Sequence, residues 1–396
     1  MSEWKKVKLG ELVSIKSGFS YKSEYLGKGD NLLLGMGCVS YKESFLDTGV
    51  RPYSQDCDPR YIAKPGDLVL ATRQQSDNLP ILAMPAIIPH KYQRKKIIIG
   101  TNLYKIENNS DVDNRFIFLV LKGREYVNYI RGVKTGTTVQ MVSKRNVEEF
   151  QFLCPPKETR EKIVTLLFRY DSLIDNYQKQ IKLLEEAAQR LYKEWFVDLH
   201  FPSHENTKIV DGVPEGWEKK RLIDLVDVQY GYAFDGKLFN SNKEGTPIVR
   251  IRNIPDGYTS DYTTEEASAD YIVKSGDILV GMDGIFHINS WSGRDAYLVQ
   301  RACSFRPKKE EIKGFIFQAI QEPIKFFERT LVGATVAHLG KKHIDSIDLL
   351  YPNNEKLFVP LQKMFEKRQL ALSQIHLLTE ARDRLLPKLM SSEIGI

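Results

Sequence analysis

The chain carries much of its own sequence twice, which constrains it to fold as two copies of one design. Trp4, Leu9, Leu12, Val13 and Gly18 recur as Trp217, Leu222, Leu225, Val226 and Gly231. Tyr61-Ile62-Ala63-Lys64-Pro65-Gly66-Asp67-Leu68-Val69 recurs as Tyr271-Ile272-Val273-Lys274-Ser275-Gly276-Asp277-Ile278-Leu279. Gly136, Thr138, Val139, Lys144, Arg145 and Val147 recur as Gly333, Thr335, Val336, Lys341, Lys342 and Ile344, and Glu161-Lys162-Ile163 as Glu355-Lys356-Leu357. Four blocks in one order, with offsets falling from 213 to 194, define a repeat of about 200 residues, far above solenoid periods. A length of 396 residues leaves room for a real core in each copy.

Each copy divides again. Residues 1–155 and 201–353 are expected to be mixed α/β domains, with β-rich runs at 67–71, 97–99, 150–153 and 277–280 between Gly, Pro and Asn turn signals. Phe116 to Leu121, with Tyr126, Tyr129 and Ile130, has a helical pattern; Phe315 to Ile320, with Phe326 and Phe327, takes its place in the second copy. Residues 156–200 and 354–396 follow proline stops and keep a heptad. Ile163, Tyr170, Tyr177, Leu184 and Leu191 form one row, and Leu167, Ile174, Ile181, Ala188 and Trp195 the other. The second helix holds the same register with Leu357, Met364, Ala371, Leu378 and Leu385, then Leu361, Ile375 and Leu389; Arg368 and Arg382 interrupt that second row. Such a/d rows specify a helix–helix seam. At 1.5 Å per residue, 163–195 reaches roughly 50 Å, longer than a small domain is wide. Pro387 should kink or end the second helix near its last turn. If the copies pair by pseudo-twofold symmetry, the helices run antiparallel with an α/β domain at each end. The expected fold class is thus α/β: two mixed α/β domains separated by an antiparallel pair of long coiled-coil helices.

The residues do not converge on catalysis. Gly231-Tyr232-Ala233-Phe234-Asp235-Gly236-Lys237 matches a phosphate-binding loop until Leu238 stands where Ser or Thr must hold Mg²⁺. Gly35-Met36-Gly37 lacks the third glycine of a dinucleotide fingerprint, and Cys154-Pro155-Pro156 is a helix stop rather than a methyltransferase Asn-Pro-Pro-aromatic tetrad. His200 and His204 have ligand-like spacing but lie in a polar linker with no nearby cysteine. The repeated Gly66-Asp67 and Gly276-Asp277 fit a turn in which glycine supplies φ > 0 and aspartate bonds backbone amides. No catalytic residue, metal site or cofactor is assigned to this chain.

Hydrophobic residues at 42% and charged residues at 27% exclude a disordered or fibrous chain. No apolar run reaches the roughly 18 residues of a membrane span, and the first residues lack a signal-peptide core. Cys38, Cys57, Cys154 and Cys303 are scattered, so a reducing cytoplasm and no membrane partner are expected. The net charge of +6 hides an asymmetry: residues 1–155 carry +7 and residues 201–353 carry −3. An anionic partner such as duplex DNA therefore attracts the first domain as a whole, and the second only through a local patch.

Candidate DNA-binding residues follow from side-chain chemistry. Arg73, Gln74, Gln75 and Asn78 can bond base edges, and the matching place beyond the second Gly-Asp turn holds His287, Asn289 and Ser290 instead. Divergent polar loops on one duplicated scaffold are what reading two different sequences requires. Lys91, Arg94, Lys95 and Lys96 form a basic run that either reaches a groove or is a solvated surface. The repeated Lys144-Arg145 and Lys341-Lys342 suit phosphate.

With these features, several segments resemble the specificity (S) subunits of type I restriction–modification systems. Asp211-Gly212-Val213-Pro214-Glu215-Gly216-Trp217 is similar to the stretch introducing the second target-recognition domain, and Trp195-Phe196-Val197-Asp198 to the close of the central helix. Lys388-Leu389-Met390-Ser391-Ser392-Glu393-Ile394 resembles the C-terminal ending, with Ser392 where glycine is common. Pro155-Pro156-Lys157-Glu158-Thr159-Arg160 resembles the start of the helix, with Arg160 in place of Gln. The resemblance covers essentially the whole chain. It implies a non-catalytic cytoplasmic subunit whose two domains, 1–155 and 201–353, each read half of a bipartite duplex target. The helices 156–200 and 354–396 would set the unread spacer and dock two methyltransferase subunits, which restriction subunits join. AdoMet would belong to the methyltransferase, and ATP and Mg to the restriction subunit. A single-chain restriction–methylation enzyme and a protein-binding scaffold are the alternatives.

Overall fold

The computed structural model describes residues 4–75, 81–331, 337–391 and 393–394. Two compact units partition the chain: residues 1–170 with 381–396, and residues 171–380. Each contains one of the expected α/β domains together with segments of both long helices.

In the first unit an antiparallel sheet runs in the order Val13–Ser17, Leu103–Asn108, Leu68–Ala71, Pro85–Ile87. A second sheet runs Val50–Tyr53, Leu26–Leu34, Ile97–Ile99, Ile62–Ala63, its middle pair parallel. A ribbon joins Lys5–Lys8 to Gln151–Cys154. The helix Asn114–Lys122 begins where the Asp113 carboxylate accepts the Arg115 N–H at 2.8 Å. It buries every residue from Phe116 to Leu121.

The second unit repeats the scheme. Val226–Tyr230, Ala302–Pro307, Ile278–Gly281 and Ile288–Ser290 form the antiparallel sheet. Phe239–Asn240, Tyr262–Thr263, Thr246–Val249, Ala296–Leu298 and Ile272–Val273 form the other, again with one parallel pair, Thr246–Val249 and Ala296–Leu298. Trp217–Arg221 pairs with Asp348–Pro352.

The repeated residues do the same physical work in both copies. Gly66 and Gly276 have φ of +86° and +91°. The carboxylates of Asp67 and Asp277 accept the Lys64 and Lys274 N–H groups at 2.8 and 3.1 Å. The turn reading of the Gly-Asp pair is therefore correct, and each turn delivers an all-buried strand, Leu68–Ala71 or Ile278–Gly281. Gly18 and Gly231 recur because neighbouring backbone leaves no space. A Cβ would stand 2.1 Å from the Gly100 carbonyl oxygen in one copy and 2.2 Å from that of Val299 in the other.

The long helices span Lys157–Tyr192 and Val359–Met390. All heptad residues named above are buried or half-buried, whereas Leu173, Leu183, Leu370 and Leu377, off the seam, are exposed. In the second unit the helices run antiparallel: Glu185 meets Arg368, and eleven residues further along the first helix Phe196 stacks near Phe358, ten residues earlier on the second. In the first unit Ile163, Val164 and Leu167, from the start of one helix, share a core with Leu389, from the end of the other. A π-helical turn, Lys193–Val197, closes the first helix and turns Phe196 into the second core. The second helix passes through Pro387 and ends at Met390. So near the terminus the ring removes one hydrogen bond from a turn that is already ending. Among the described residues no helix is long and apolar enough to cross a membrane.

Gly66→Ala and Gly276→Ala should each cost about 1–2 kcal/mol, the penalty for a side chain at left-handed φ. Gly231→Ala should cost more, because the backbone of Val299 must move. Urea midpoints of the three variants check the order.

Candidate nucleic-acid interface

Beyond the buried strand that follows each Gly-Asp turn, the chain enters a loop that pairs with the segment leading into the repeated basic helix. In the first unit Arg73–Gln74 pairs antiparallel with Gln140–Met141. Two residues later Ser143 caps the helix Lys144–Glu148, its side chain accepting the Asn146 N–H at 3.1 Å. In the second unit Asp283 bridges His338, the Gly284 N–H donates to the Ala337 carbonyl at 3.0 Å, and Lys341–Asp345 is the corresponding helix. The fold thus gathers at one edge of each α/β body two groups that lie about 70 residues apart in the first copy and about 55 in the second. The repeat block at Gly333, Thr335 and Val336 lies outside the described residues, as does Asn78.

Three of the candidate residues are corrected by burial. Gln74 is 5% exposed. Its amide donates to Gln140 Oε1 at 2.6 Å and accepts the Leu82 N–H at 2.9 Å, so it ties the two loops together. Asn289 and Ser290 are 6% and 0% exposed. The Asn289 amide donates to the carbonyls of Ile254 and Pro255 at 2.9 Å each, and both side chains accept from Arg368. Ile288–Ser290 is the edge strand of its sheet, and the second long helix covers it through Arg368, so no base can reach these two side chains. Gln75 is exposed, and Arg73 is half-buried with its Nε lacking an acceptor among the described residues.

The basic run is a largely compensated surface. Lys91 and the Tyr92 hydroxyl both bond Asp47, Lys96 bonds Asp56 at 2.7 Å, and Lys95 lies 3.9 Å from Asp30. The Lys91 and Tyr92 hydrogen bonds hold the Asp47 carboxyl below the usual carboxylate range, and Lys96 does the same for Asp56. Arg94 is the exposed cation of the run without such a pair among the described residues.

In the second unit Lys341 pairs with Asp345 at 2.9 Å, Lys342 is exposed, and His287 is half-buried. Burial, reinforced by Lys342 and His338, holds the His343 ring below the usual imidazole range, so its Nδ1 can accept the Gly340 N–H at 3.0 Å. Side-chain chemistry in the sequence did not single out Asp283, Arg301, His338 or Ile285. Asp283 lies 3.3 Å from Arg301 and 2.6 Å from His338, bracing the loop, and Ile285 is exposed at its tip. The pairing of 283 with 338 depends on strand register and has no local signal.

The phosphate-loop look-alike is a 3-10 turn, Gly236–Leu238, in which the Asp235 carboxylate accepts the Lys237 N–H at 2.9 Å where a phosphate would need to sit. The His204 Nδ1 is engaged by the Phe201 carbonyl at 2.9 Å.

A sequence profile of the type I restriction modification DNA specificity domain matches residues 1–186 and 214–380. The type I restriction enzyme MjaIX specificity subunit of Methanocaldococcus jannaschii is 24% identical over 99% of this chain and 93% of that protein. The HindI specificity subunit of Haemophilus influenzae is 24% identical over 75% of this chain and 81% of its own. The fold is similar to the crystal structure of a type I restriction–modification S subunit from M. genitalium, with a TM-score of 0.60 at 16% identity, covering 98% of this chain and 96% of that one.

Gln74→Ala should destabilise the first unit by about 1–3 kcal/mol, since the buried Leu82 N–H loses its acceptor. Gln75→Ala, two atoms of backbone away but exposed, should change stability by less than about 0.5 kcal/mol. Parallel thermal melts distinguish the two.

Proposed function

The chain belongs to the type I restriction modification DNA specificity family, and from that premise we propose that its two α/β bodies each read one half of a bipartite duplex target. The observation that carries this reading is the pair of equivalent loops. One scaffold presents Arg73 and Gln75 in the first unit and Ile285, His287 and Arg301 in the second, each beside a repeated basic pair. Arginine and glutamine suit guanine and adenine edges, and an exposed isoleucine suits a thymine methyl group. Lys144, Arg145, Lys341 and Lys342 supply phosphate contacts that position without specifying. The net −3 of residues 201–353 makes the second body depend on its local cations.

In this reading the chain contributes recognition and no catalysis. Chemistry comes from two methyltransferase subunits, which carry AdoMet, and from restriction subunits, which carry ATP and Mg. The exposed Leu370 and Leu377, one heptad apart on the second helix, provide an apolar face for a partner helix or sheet. The helices act as the ruler between half-sites.

Footprinting of the chain assembled with its methyltransferase on duplex DNA is the test. Two protected half-sites with an open spacer are expected; a single sequence-blind footprint would return the scaffold alternative, and methylation by the chain alone the fused-enzyme alternative. Lys144→Ala and Lys342→Ala should weaken all sequences equally and each lower the salt slope of binding by about 1. Gln75→Ala should relax base preference in one half-site only. Four residues inserted within 180–186, with four matching residues in the second helix, add about 6 Å. That should lengthen the preferred spacer by one or two base pairs and leave both half-sites unchanged.

A further inference from the structure

The second unit buries a cation that its repeat partner lacks. Arg368 sits on the heptad seam with its side chain 8% exposed. Its Nε bonds Glu185 of the first helix at 2.7 Å, Nη1 the Ser290 hydroxyl at 2.8 Å, and Nη2 the Asn289 amide oxygen at 2.7 Å. The guanidinium also lies 4.9 Å from the centre of the Phe317 ring. Next along the helix, Gln369 donates to the Trp291 carbonyl at 2.5 Å and to the Ser275 hydroxyl at 3.1 Å. The same Trp291 carbonyl accepts the N–H of Gly276 in the repeated turn. One side chain therefore joins both long helices to the strand that runs alongside Ile278–Gly281, the strand that feeds the candidate reading loop.

The repeat gives an internal control. At the helix offset of 194, Arg368 corresponds to Ile174 and Glu185 to Thr379. Strand register sets Ser290 opposite Ile278 as it sets Ile87 opposite Leu68, so Asn289 and Ser290 correspond to Ala86 and Ile87. Arg368 and its two acceptors on the second body, Asn289 and Ser290, thus all have apolar counterparts in the first copy.

Burying a guanidinium is expensive unless its donors are met, and well-packed apolar residues would often be as stable. What the ionic version adds is direction. Apolar surfaces slide and rotate against one another at small cost, whereas a planar fork holding three acceptors from two elements admits one orientation. We propose that Arg368 is a positioning residue that locks the second α/β body at one angle on the helix pair, and so fixes the rotational phase, and with it the permitted spacer length, of the second half-site. This rests on the bipartite-DNA reading above.

The test uses the full chain assembled with its methyltransferase subunits, assayed by methylation of a library in which two constant half-sites are separated by spacers of varied length. The wild-type complex should show one sharp optimum. Arg368→Met, which keeps volume and removes the fork, should raise methylation at neighbouring spacer lengths by about tenfold relative to the optimum, on the scale of one lost charge-assisted hydrogen bond. Base preference within each half-site should be unchanged. Glu185→Gln, with its acceptor oxygen retained, should give a smaller broadening in the same direction. Arg368→Lys, which keeps the charge and loses the fork, should broaden like Arg368→Met, and it carries the test if the methionine variant does not fold. A merely structural role would lower methylation at every spacer alike and leave the profile's shape intact; that result in folded variants overturns the proposal. A wild-type complex that protects no pair of half-sites would instead overturn the bipartite reading on which it stands.

Discussion

Neither copy of the repeat can close its own core, and the rest of the structure follows from that. In the first unit the α/β body and the start of its own helix are completed by Leu385, Leu386, Leu389 and Met390, which belong to the other copy's helix. In the second, Leu357, Phe358, Leu361 and Phe365 are joined by Ala188, Leu191, Tyr192, Trp195 and Phe196 from the first helix. The apolar a/d seam is therefore shared property. Removing either helix would expose both cores, which explains why the two helices stay helical for more than thirty residues each.

Against this apolar background three buried polar side chains act as fasteners. Gln74 ties its own loop to the strand Gln140–Met141, and Arg368 ties helices to sheet. Asn289 holds the backbone at Ile254 and Pro255 while it accepts from Arg368. All three are residue types that also bond DNA, because a fork or an amide that matches a base edge matches a backbone peptide equally well. Chemistry alone could not separate the two uses; burial does.

Much of the architecture was legible in advance because it is written in spacing. The heptad rows, the Gly-Asp turns and the helix at Phe116–Leu121 depend on neighbours within a few residues, and all appear where the pattern puts them. The pairs Lys144-Arg145 and Lys341-Lys342 are visible as repeated cations, and each opens a short helix. The basic run at Lys91–Lys96 looked stronger than it is, since its neutralising partners Asp30, Asp47 and Asp56 come from strands and turns distant in sequence.

The sequence by itself determined that the protein is a duplicated α/β body and helix, which residues line the helix seam, and that cations recur at one place in each copy. These are local or periodic properties, and side-chain volume and backbone φ enforce them wherever the chain goes. Only the tertiary structure decided which polar residues remain available to a partner. It turned Asn289, Ser290 and Gln74 inward, brought Asp283 to His338 across fifty-five residues, and gave Arg368 three acceptors that make its burial affordable. Exposure is a property of what packs on top of a residue, and long-range strand pairing sets that.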